Sequence, residues 1–158
     1  MCPCGSVRVV ETVLLAYDDS DAAKAAREWV VRYATGRDVE VVVVYALSSL
    51  WEWELAAVQI DPDPIRHEYE RLLREVWSEP LRQAGVPVRT RVVVGRRPAE
   101  SILRAARDLG ASFIVVGMTP RGTLGELVLR NTAEDVVHHA HRLPVMSIPP
   151  GWKPPPDA

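Results

Sequence analysis

The run ETVLLAY at 11–17 is apolar almost without interruption, which predicts a strand covered on both faces. Asp18, Asp19 and Ser20 break it, and beyond them Ala22, Ala25, Ala26, Trp29, Val30 and Tyr33 recur every three or four positions. That period predicts a helix over 21–34, with Ser20 or Asp21 as N-cap and Gly36 as its stop. A second β-branched run, 39–47, predicts another buried strand. Residues 48–64, acidic and aromatic without a clear period, read as a loop in which Trp51 and Trp53 form a lid or a contact surface. A helix starting near Pro64 then carries Ile65, Tyr69, Leu72, Leu73 and Val76 on one face.

In the second half, 88–94 alternates before turning apolar, as expected of a strand near a sheet edge, and Gly95 closes it. Pro98 suits the first turn of a helix running through Leu109, with Ile102, Leu103, Ala106 and Leu109 inward and Gly110 as its stop. A fourth apolar strand at 111–117, a glycine-containing loop, a helix around 131–141 and a last strand at 144–149 complete the series. Strands alternating with helices at these intervals predict an α/β fold: a doubly wound, open, parallel five-stranded sheet with helices on both faces, Rossmann-like in architecture. One domain, 10–150, follows, with a flexible segment 1–9 and a Pro-rich tail 151–158.

Composition agrees with a single folded core: 158 residues, 47% hydrophobic and 25% charged. The net charge of −2 and the lack of basic clusters longer than pairs such as Arg96 and Arg97 argue against nucleic acid as a partner. No apolar run approaches the roughly 20 residues that span a bilayer, and 1–11 lacks the apolar core of a secretory signal, so no membrane partner and a cytoplasmic location are expected. Cys2 and Cys4 would close a trivially small loop and supply too few ligands for a metal.

In an open parallel sheet, ligands lie beyond the carboxyl ends of the strands where strand order reverses. Two loops fall there: Asp18–Ser20 after the first strand, and the stretch GMTPRGTLGELVLRNTAED that begins at Gly117. The order of D-x-S at 18–20, an alanine-rich helix with a Trp, VVVG-x-x-PAESIL, ASFIVVG, TAEDVV and LPVMSI resembles the universal stress protein family over nearly the whole chain, 10–149. The resemblance implies the adenine nucleotide alpha hydrolase-like form of the doubly wound fold and a role in stress response. It also implies a homodimer in which the last strand, Val145, Met146, Ser147 and Ile148, meets its mate.

In ATP-binding members the last loop reads G-x-x-G, nine residues, then G-S or G-T. Here Gly117 matches the first glycine, Pro120 stands at the second, and Arg130 and Asn131 replace the Gly-Ser pair, followed by Thr132. A phosphate nest needs backbone N–H donors and close backbone approach, and proline offers neither. A register shift of two residues would bring Gly122 and Gly125 into play, with Arg121 or Arg130 meeting a phosphate. The nucleoside half implied by the resemblance comprises Ala16, Asp18, Ala46 and Val116. Ala46 and Val116 also suit plain core positions, and Asp18 suits a turn carboxylate. The resulting expectation is a non-catalytic stress-response domain with a degenerate site, binding ATP weakly or not at all and acting through a protein partner. The alternative is an ATP-binding homodimeric switch, with slow hydrolysis, taking ATP or another adenine nucleotide, and Mg with ATP.

Other chemistry is thin. His138, His139 and His141 with Asp135 do not share one helix face, and histidines near a helix C-terminus complement its dipole. Ser20, Ser101 and Ser147 lack a nucleophile elbow, and no Cys–His pairing suits catalysis. Asp61 and Asp63 flank Pro62 as turn residues. The last strand leaves an edge that a second copy, or Pro144, Pro149 and Pro150, would blunt.

Overall fold

A computed structural model describes residues 10–118 and 132–156. Five strands, β1 (Glu11–Ala16), β2 (Val39–Ser48), β3 (Val88–Gly95), β4 (Phe113–Gly117) and β5 (Val145–Ile148), form one sheet of order β3-β2-β1-β4-β5. Every pairing is parallel. Helix α1 (Asp21–Ala34) begins at Ser20, whose Oγ accepts from the Ala23 amide at 3.1 Å. Gly36 beyond it sits at φ 73°, a left-handed conformation that favours glycine. Helix α5 (Pro98–Asp108) starts on its proline as expected, and β3 is indeed an edge strand.

Two cores flank the sheet. One holds Val13, Leu15, Val41, Val43 and Val115 under α1, the 72–77 turn and α4 (Glu79–Gln83). The other holds Leu14, Val42, Val44 and Ile114 under α5 and α6 (Thr132–His139). Each strand serves both, because successive side chains point to opposite faces.

Three expectations are corrected. Residues 49–57 are not loop but helix α2 (Ser49–Ala57), capped by the Ser48 Oγ, which accepts from Leu50 N at 3.3 Å. Its Leu, Glu and Ala content favours helix, but none of its residues is buried and Trp53 is 77% exposed, so no apolar period marks it. The helix after Pro64 is broken: α3 (Asp63–Arg71) passes into a π-helical turn, Leu72–Trp77. The extra residue per turn rotates the inward face, burying Leu73 and Trp77 and leaving Val76 outside. Ser78, fully buried, donates its hydroxyl to the Leu73 carbonyl at 2.6 Å and satisfies that turn. Finally, Trp152 packs against the first core, so the start of the tail belongs to the folded unit.

Candidate functional site

The alternation that builds the two cores also builds the cleft. At the carboxyl ends of β1 and β2, one face carries Tyr17 and Tyr45, while the face under α5 and α6 carries Ala16 and Ala46. Ala16 lies in register between Val44 and Val116. Where Leu14 and Val42 fill the layer below, the alanines leave a recess open to solvent. Its apolar walls come from Val44, Val116, Ile102 and Ala133, and Asp18, Ser20 and Thr132 stand among its polar lining groups.

On the opposite face the equivalent space is full. Tyr45 stacks on Tyr69 with ring centroids 4.6 Å apart, and Trp77 meets Tyr17 at 5.4 Å and Tyr45 at 5.5 Å. Arg27 of α1 donates through Nη1 to the Tyr17 hydroxyl at 2.9 Å and to the Trp77 carbonyl at 3.0 Å. Its guanidinium also lies 5.2 Å from the Tyr17 ring centroid, which favours the cation. Tyr17 in turn donates to Asp19 Oδ1 at 3.1 Å. Burial pushes the Tyr17 hydroxyl well above the usual tyrosine range, against the lowering effect of Arg27. Burial raises Tyr45 likewise, helped by its hydrogen bond with Tyr69. This chain of contacts holds the loop 17–20, in which Asp19 takes φ 64° and Asp18 Oδ1 accepts from Ser20 N at 3.1 Å.

Asp18 therefore fulfils the turn role with one oxygen while lining the cleft. Gly117 has a packing reason of its own: a Cβ there would stand 2.4 Å from the Ala22 carbonyl carbon of α1. The strand can reach the cleft at that point only without a side chain. Ala16, Asp18, Ala46, Val116, Gly117 and Thr132 all meet at the recess. Gly122, Arg130 and Asn131, with Pro120, lie outside the described residues. Sequence reasoning missed Tyr17, Tyr45, Pro98 and Ile102 in the lining. The first two could have been found as neighbours of Ala16 and Ala46 at the same strand ends.

The lining offers an apolar slot with a carboxylate at its mouth. Among its described residues there is no His, Cys or Lys, and the Ser20 oxygen is occupied as an N-cap.

A parallel sheet of this order, with its recess at the reversal between β1 and β4, defines a doubly wound, Rossmann-like α/β domain. The chain belongs to the universal stress protein family, whose model matches residues 10–149. It is 32% identical over 130 residues to a universal stress protein of Thermus aquaticus from the QAH/OAS sulfhydrylase 3′ region, covering 82% of this chain and 93% of that one. Among solved structures it is similar to a universal stress protein from Archaeoglobus fulgidus in complex with dAMP. There the identity is 25% and the TM-score 0.60, with 88% of this chain and 97% of the other covered. A universal stress protein in complex with cAMP has the same fold at 18% identity and TM-score 0.62, covering 90% and 98%. Among the described residues no helix is long and apolar enough to cross a membrane.

Proposed function

We propose that this chain is a non-catalytic stress-response protein that takes an adenine nucleoside monophosphate in the cleft and binds ATP weakly or not at all. The observation that carries the reading is the recess opened by Ala16 and Ala46 beside Asp18. A flat, largely apolar base fits such a slot, and a carboxylate accepts from a ribose hydroxyl. The complex of the Archaeoglobus relative with dAMP supports a monophosphate. Pro120, Arg130 and Asn131, standing where ATP-binding members carry glycines and a hydroxyl, argue against a triphosphate cradle.

A protein without its own chemistry acts by contact, and the two sheet edges differ in their fitness for it. Strand β3 presents exposed Arg89 and Arg91, charges that discourage strand addition. Strand β5 carries no charge and exposes Met146. Pairing of two copies through Val145–Ile148 would cover it, and Met146→Lys would give monomers by analytical ultracentrifugation.

Calorimetric titration of nucleotide-stripped protein tests the site. AMP should bind with a dissociation constant in the range of about 1–100 μM, and ATP with Mg²⁺ at least about tenfold more weakly. ATP bound as tightly as AMP or tighter contradicts the reading and makes the ATP-dependent switch primary. Heat from neither nucleotide leaves a scaffold that works through protein contacts alone.

A further inference from the structure

A second hollow lies at the opposite end of the sheet. It is walled by the last turn of α5, the end of α6 and the turn 140–143, and its volume is about 440 Å³, open to solvent. Its floor is apolar: Leu103, Ala106 and Ala111 are all buried. Its rim carries the cations Arg107 and Arg142, with His139 and His141 beside them. Among the described residues no carboxylate lines it, and neither guanidinium enters an ion pair there. The turn that brings Arg142 and Leu143 across from α5 closes on the Ala140 carbonyl, which accepts from Leu143 N at 2.9 Å, with His141 held at φ 34°.

Cations at helix ends are ordinary, since each helix C-terminus is equivalent to about half a negative charge. Two such ends, α5 and α6, account for about one positive charge. Arg107 and Arg142 bring two before either histidine is counted, so the hollow keeps an excess of positive potential above an apolar floor. Asp108, the nearest acid on α5, lines a different groove with Arg91 and Arg104.

We infer that this hollow binds a small organic anion with an apolar body, such as a medium-chain carboxylate. Its head meets Arg107 and Arg142, and its chain lies on Ala140 and Leu143, above the buried Leu103 and Ala106. Guanidiniums bind carboxylates with charge-assisted bonds, and the half-buried wall at Ala140 and Leu143 gains from covering by hydrocarbon. The site is separated from the nucleotide cleft by the length of β4, roughly 17 Å at about 3.3 Å per residue. It therefore stands whether or not the cleft takes a nucleotide.

The test is a titration of isotope-labelled protein with decanoate, decanol and acetate, followed by methyl and amide NMR shifts. Decanoate should saturate with shifts at Leu103, Ala106 and Leu143, at least about tenfold tighter than decanol or acetate. An Arg107→Gln, Arg142→Gln double variant should lose about tenfold in decanoate affinity with an unchanged urea midpoint. Equal binding of decanol, an unaffected double variant, or no saturable shift at these residues overturns the proposal. So does displacement of decanoate by AMP with shifts at Ala16 and Ala46, which would place it in the other cleft.

Discussion

The two faces of the sheet meet the same carboxyl ends of β1 and β2 and treat them in opposite ways. On the α1 face, Tyr17, Tyr45, Tyr69 and Trp77 fill the end with rings, and Arg27 ties three elements together. On the α5–α6 face, Ala16 and Ala46 occupy the neighbouring strand positions and leave a recess. One face is built for rigidity and the other for occupancy, and a side-chain difference at two adjacent pairs of positions separates them. The filled face lies directly behind the cleft, so its packing fixes where the Asp18–Ser20 loop stands.

That contrast can be broken from either side. Trp77→Ala should cost about 3–5 kcal/mol in urea unfolding, because it removes the ring that three tyrosines meet. Ala46→Leu should do the reverse, lowering AMP affinity about a hundredfold, measured by calorimetry, while stability changes by less than about 1 kcal/mol since it fills open space. Arg27→Met removes two hydrogen bonds but also the buried Nε, which has no partner. The net loss in thermal or urea unfolding should be about 1–2 kcal/mol. Asp18→Ala should weaken AMP about tenfold with a smaller effect on folding.

The smallest effect is in pH. The folded Tyr17 hydroxyl titrates above its unfolded value of 10.0. Its contribution is therefore complete below pH 10 and is lost above it, as the unfolded chain releases a proton that the native state retains. Tyr17→Phe should flatten the alkaline fall in stability seen in urea titrations.

The central strands were legible because a continuous apolar run is stable in water only where both of its faces are covered, as in a parallel sheet between helices. The edge position of β3 was legible from Arg89 and Arg91 alternating with Val88 and Thr90. Helix α2 was not, since helix propensity without burial leaves no period to read. The π turn at Leu72–Trp77 escaped for a related reason: the pattern was projected with a fixed turn, so Val76 was assigned the place that Trp77 takes. In the site, Asp18, Ala16 and Ala46 were marked by resemblance, whereas alternation alone could have shown why alanines there matter. Gly117 illustrates the limit of motif matching, because its lack of a side chain is required by the Ala22 backbone regardless of any phosphate.

The most direct test of the central claim is a set of nuclear Overhauser contacts between bound AMP and methyl-labelled protein. The account predicts contacts from the adenine protons to the methyls of Ala16, Ala46 and Ile102, all on the α5–α6 face. Saturable binding with adenine contacts to other residues and none to these three would contradict it.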